Sequence, residues 1–187
     1  MRKPKRKGKQ PMIETAVLIS IKPKWVNLIL SGKKTIEVRK TVPKLTPPFT
    51  CYIYESGTGC VVGEFVCDKI FRYTTTAVKA GANISDAEMQ KQSCLTAEQL
   101  EKYEHGGVNP NAPFWLVGLY GWHICLLKEY ETPLPLSEFK RPCMVPERPC
   151  CECQLWNNGR YQIPGCALVN IEKPPQSWRY VQKRVET

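Results

Sequence analysis

Ser31-Gly32-Lys33-Lys34-Thr35-Ile36-Glu37-Val38-Arg39-Lys40, just downstream of Ser20-Ile21-Lys22-Pro23-Lys24, is the stretch whose reading decides the fold. The apolar run Ala16 to Ile21 reads as a buried strand, and Pro23 fits the first turn of a following helix with Trp25, Leu28 and Ile29 on one face. Gly32 tolerates the positive backbone dihedral that closes a helix at Ser31, and Lys33 and Lys34 then lie near the negative end of its dipole. From Thr35 to Lys40 the pattern alternates: Ile36 and Val38 should face the core, while Thr35, Glu37 and Arg39 emerge on the opposite face. A helix stop followed by a strand with one ionic face is either a solvated surface or the wall of a binding site.

Around this stretch, Thr50 to Glu55 and Val61 to Phe71 read as strands of a hairpin across Ser56-Gly57-Thr58-Gly59. Ser85-x-x-Glu88 and Thr96-x-x-Gln99 have capping-box spacing, which predicts two short helices over Ser85 to Gln92 and Thr96 to His105. A long strand or bent pair should run from Phe114 to Tyr130. Pro133, Pro135, Pro142, Pro146 and Pro149 then break the pattern, before closing strands at Ala167 to Glu172 and Trp178 to Gln182. Many short strands with few helices imply an α+β, mainly β architecture: a small, partly open barrel with short flanking helices.

The 187 residues and 42% hydrophobic content suit one domain with a real core. The formal net charge is +10, but Arg2, Lys3, Lys5, Arg6, Lys7 and Lys9 supply six of these charges, leaving about +4 for the rest. Residues 1–11 therefore read as a disordered basic tail that makes non-specific phosphate contacts, the competing reading being a solubilising tail, and 12–187 as the domain. No apolar run approaches the roughly 18 residues of a membrane span, and the basic start lacks the apolar stretch of a secretory signal, so the expected location is the cytoplasm. The ten cysteines are accordingly expected to be reduced or metal-bound. Cys143, Cys150, Cys153 and Cys166 are candidate ligands of a structural zinc, because Cys150-x-x-Cys153 lets one turn present two sulfurs to one ion; the competing reading is reduced thiols in a proline-rich loop.

The blocks Ile19-Ser20-Ile21-Lys22-Pro23 and Ser31 to Lys40 resemble the signature of the ASCH domain, a branch of the PUA-like superfamily. Tyr52-Ile53-Tyr54-Glu55, Val61-Val62-Gly63-Glu64-Phe65, Gly121-Trp122-His123-Ile124 and Pro174-Pro175-Gln176-Ser177-Trp178 resemble later blocks of a bacterial and phage-associated ASCH subfamily. The resemblance runs from about Ala16 to Gln182 and makes the Cys- and Pro-rich segment at about 141–166 an insertion. It implies a PUA-like pseudo-barrel with a cleft beside the glycine-lysine turn that binds RNA or nucleotides. Similar small bacterial ASCH proteins deacetylate acetylcytidine with a lysine in the turn, a threonine on the next strand and a glutamate elsewhere. Lys34 matches that lysine, and Glu37 stands at the threonine's position. Other relatives are similar to ribonucleases.

The leading expectation is therefore a binding module recognising RNA, or a modified nucleoside or nucleotide, through Lys22, Lys34, Thr35, Glu37, Arg39 and Trp178. Trp178 has an equal alternative as a strand tryptophan sealing the barrel. The enzymatic alternative, an amidohydrolase on acetylcytidine or a ribonuclease, makes Lys34 the catalytic residue, its proton affinity lowered by nearby cations. A third reading is a protein-interaction adaptor docking through the cysteine loop. Trp25 reads more readily as core than as a stacking platform, and His123 more readily as a hydrogen-bonded strand residue than as a general acid.

Overall fold

Ala16 to Ile19 are fully buried because the strand that carries them, β1 (Thr15–Ile21), has neighbours on both sides within one sheet and packing on both faces. The computed structural model describes residues 14–76, 81–106, 118–142 and 168–184. The basic tail and Cys143, Cys150, Cys153 and Cys166 lie outside them. After β1 come α1 (Pro23–Leu30), β2 (Ile36–Arg39), β3 (Phe49–Glu55), β4 (Cys60–Cys67), β5 (Ile70–Tyr73), α2 (Asp86–Ser93) and α3 (Ala97–His105). The remaining elements are β6 (Leu119–His123), β7 (Cys125–Pro135), a 3-10 turn at Leu136–Glu138, β8 (Lys140–Pro142), β9 (Leu168–Asn170) and β10 (Trp178–Gln182).

Five strands pair in the order β10-β1-β3-β4-β7 and three in the order β2-β6-β5, with β8-β9 as a separate pair. Among the described residues the sheets do not join into a closed barrel, in keeping with an α+β, mainly β pseudo-barrel. β1 and β3 are parallel, with Val17 opposite Cys51, so the chain between them must cross over, and that crossover carries α1 and β2. β10 returns antiparallel to β1 and places Trp178 opposite Ile19. Between the sheets lies a core of Val17, Ile19, Val26, Ile29, Ile53, Phe65 and Trp122, while Met89 and Leu100 of α2 and α3 pack on Ile36 and Val38 of β2. These contacts fix the helices on either side of β2.

Both capping boxes form: Ser85 and Glu88 close the start of α2, and Thr96 and Gln99 the start of α3. Three expectations are corrected. The buried face of α1 is Val26 and Ile29, with Trp25 and Leu28 only partly covered. Val61 to Phe71 is two strands, because the chain leaves the large sheet after Cys67 and enters the small one at Ile70. Pro133 does not end β7, which runs on to Pro135 and is an edge strand among the described residues, where a residue without an N–H costs no ladder bond on its open side. Within 118–130 the bend falls at Ile124, whose N–H donates to Thr35 O at 2.9 Å, and so divides β6 from β7. No helix among the described residues is long and apolar enough to cross a membrane.

Candidate functional site

The turn after α1 is built on Gly32, whose φ of +72° is costly for any residue with a Cβ. Gly32 N–H donates to Ile29 O and Lys34 N–H to Leu28 O, at 2.8 and 2.9 Å, and Thr35 N–H reaches Gln92 O at 2.9 Å. The turn is thereby pinned between the end of α1 and the end of α2, and the Lys34 side chain is driven inward. Only 2% of Lys34 is exposed. Its ammonium donates to Ser93 O at 2.8 Å, a carbonyl at the C-terminal, negative end of α2.

Lys34 is the first member of a buried ionic row. Its Nζ lies 3.4 Å from Glu37 Oε2, and Glu37 Oε1 lies 2.9 Å from Arg39 Nη2. Arg39 Nη2 also donates to Ser20 O at 2.7 Å, and Nη1 to Ser177 Oγ at 3.3 Å and Ser177 O at 3.5 Å. Glu37 and Arg39 are each 7% exposed, which overturns the expectation of an open strand face: side chains opposite Ile36 and Val38 do emerge on the other side of β2, but that side is walled by other elements. Burial is the main influence on Lys34 and pulls its proton affinity below the ordinary lysine value, with the Glu37 carboxylate pulling the other way.

The row forms the floor of a cleft of about 500 Å3. One wall is Lys22 and Trp25 at the start of α1, the other is Gln99, Lys102 and Tyr103 of α3, and Gln176 of the loop before β10 also lines it. Lys24 and Lys34 place their ammonium groups 4.7 and 5.4 Å from the Trp25 ring centre, and Lys40 lies 5.4 Å from that of Tyr103. Lys22 and Lys102 are exposed and have no ion-pair partner among the described residues. With Lys22, Lys34, Arg39 and Lys102 against Glu37, the lining carries a net charge of +3.

Of the residues expected from sequence, Lys22, Lys34, Glu37 and Arg39 come together here, while Thr35 and Trp178 do not line the cleft. Thr35 is held by the two backbone bonds already described. Trp178 donates from Nε1 to Thr41 Oγ1 at 3.0 Å, and its ring sits 5.9 Å from Trp122 and 5.5 Å from Tyr180, the position of a sealing tryptophan. His123 also lies elsewhere, with Nδ1 at 2.6 Å from Asp68 Oδ1. Sequence reasoning missed the α3 wall. Gln99, Lys102 and Tyr103 are spaced by three and four residues and so share a face opposite the buried Leu100 and Glu104, and that spacing was the available signal.

Residues 19–109 match the family model of the ASCH domain. Among solved structures, the fold is similar to ASCH from Zymomonas mobilis, at 17% identity and a TM-score of 0.50, with 90% of this chain and 88% of that chain covered. A serine-to-alanine mutant of the same Zymomonas mobilis protein aligns at 16% identity and a TM-score of 0.51, covering 92% of each chain. At these identities the likeness is one of fold. Comparison with curated proteins gives no significant match. The helix-turn-strand unit at Lys22 to Arg39, the pseudo-barrel around it and the match over residues 19–109 together establish that the chain carries an ASCH domain of the PUA-like superfamily.

Proposed function

We propose that this protein is a nucleic-acid-binding module that takes a single nucleotide unit of RNA, or a modified nucleoside or nucleotide, into the cleft between α1 and α3. The observation that carries the reading is the combination of a positive lining with two aromatic side chains, Trp25 of α1 and Tyr103 of α3, around a volume of nucleotide size. Lys22 and Lys102, exposed at the rim, take phosphate; Trp25 and Tyr103 supply stacking surface for a base; Lys34 has a third N–H and Glu37 has remaining lone pairs with which to meet the base edge. RNA binding as a general property of ASCH domains supports the same reading. The basic tail adds affinity without selectivity. A cytoplasmic setting agrees with Cys51, Cys60, Cys67, Cys94 and Cys125 being free thiols.

Fluorescence anisotropy with a labelled single-stranded RNA of about ten nucleotides tests this. Binding should weaken with salt in the full chain and persist, with a smaller salt slope, in a chain lacking Met1 to Gln10. Loss of all binding on removing the tail would refute the cleft.

One observation favours a second reading. A buried lysine of lowered proton affinity beside a carboxylate is the arrangement of a general base or nucleophile, which suits an amidohydrolase on acetylcytidine or a ribonuclease. Turnover of acetylcytidine or of labelled RNA, abolished in Lys34→Ala, would establish it; no turnover in the wild type leaves recognition as the function.

A further inference from the structure

The geometry points to Arg39 as a positioning residue that holds Glu37 and the loop carrying Gln176 in place, with no direct contact to the ligand; this rests on the cleft being the binding site. The guanidinium is already committed. Its two Nη groups serve Ser177 O, Ser177 Oγ, Ser20 O and Glu37 Oε1, and the remaining donor, Nε, is buried with no partner among the described residues. A phosphate could reach Arg39 only by displacing one of these bonds or by uncovering the buried Nε, while Lys22 and Lys102 stand exposed at the same cleft.

The four contacts have a mechanical meaning. Ser177 O also accepts from Ser20 N at 2.9 Å, and Ser20 Oγ donates to Pro175 O at 2.6 Å. The loop is therefore anchored on both sides of Gln176, at Pro175 and at Ser177, and Arg39 is the side chain that ties the second anchor to Glu37. Gln176 itself is exposed and lines the cleft, with an amide that can both donate and accept. A planar guanidinium, with donors in a fixed fork, can bridge three acceptor groups at once; a lysine ammonium cannot match that geometry. Arg39 thus sets the spacing between a carboxylate on one side of the site and an amide on the other.

The test uses the full chain and the same labelled RNA over salt from about 50 to 200 mM. If Arg39 positions, Arg39→Lys weakens binding about tenfold or more, as much as Arg39→Ala does, and neither changes the salt slope. In a Gln176→Ala background, Arg39→Lys should then cost clearly less, because part of its effect runs through Gln176. The proposal is overturned if Arg39→Lys keeps wild-type affinity, if Arg39→Ala lowers the salt slope by the roughly 0.7 expected of a lost phosphate contact on single-stranded RNA, or if the two substitutions are additive. Hydrogen exchange at the Ser20 amide gives a readout free of ligand: faster exchange in Arg39→Lys supports the clasp, and unchanged exchange overturns it. Should the wild type bind no RNA, the cleft reading fails, while the exchange result still decides the role of Arg39.

Discussion

Replacing Glu37 by Gln removes the one negative charge between Lys34 and Arg39 while keeping its size. At an effective dielectric of about 20, unit charges at 2.9 and 3.4 Å attract by roughly 5 to 6 kcal/mol each, most of which offsets the hydration lost on burial. Removing one member of a buried pair usually costs about 3 to 5 kcal/mol, because the partner charge is left uncompensated. The lower end applies here for two reasons. Arg39 keeps Ser20 O and Ser177, and Lys34, already pulled below the ordinary lysine value by burial, can release its proton once Glu37 no longer opposes that pull. The expected loss is about 3 kcal/mol in urea denaturation at neutral pH, or about 6 to 12 °C in Tm for a chain of this size. The sign of the pH dependence follows. A lysine whose native proton affinity is depressed binds fewer protons folded than unfolded, so stability rises with pH between its native value and 10.5. The depression is deeper in Glu37→Gln, so its deficit should narrow as pH rises from 7 toward 10. A loss below about 1 kcal/mol, the range of exposed ion pairs, or a deficit that does not change with pH, would refute the buried row.

Other consequences are measurable with the same tools. Tyr103→Ala should weaken RNA binding about ten- to hundredfold, the worth of one stacked base, while changing folding stability by less than about 1 kcal/mol, since Tyr103 is 38% exposed; equal losses in both would mark Tyr103 as merely structural. Lys22→Ala and Lys102→Ala should each reduce the salt slope by about 0.7, and a chain without Met1 to Gln10 by up to about 4; unchanged slopes would place phosphate elsewhere. Burial pushes the Cys67 thiol from 9.0 up to about 12, so the folded state keeps its proton after the unfolded chain has lost it. The stability advantage of wild type over Cys67→Ala should then be intact below pH 9 and decline by about 1.4 kcal/mol per pH unit above it; a constant difference from pH 8 to 11 would contradict this.

Local signals in the chain carried most of the frame. The apolar run at Ala16 to Ile21, the proline and glycine that bracket α1, the two capping boxes and the return strand at Trp178 each act over a few residues, and each is found where its chemistry put it. The site was legible in part for the same reason: Lys34, Glu37 and Arg39 lie within one turn and one strand. Burial of that strand was not, because a period of two tells which side chains share a face but not whether α1, α3 and the loop at Gln176 will cover it. The proline content of β7 misled in the same way, since only the sheet order reveals that this strand is an edge. Tertiary position alone decided the tryptophans: Trp25, read as core, opens onto the cleft, and Trp178, read equally as ligand platform or seal, packs on Trp122.

Photocrosslinking of labelled single-stranded RNA to the full chain, followed by mapping of the modified peptides, asks most directly where the ligand lies. Binding in the cleft predicts adducts at Trp25 and Tyr103. Adducts confined to residues 1–11 would contradict the account.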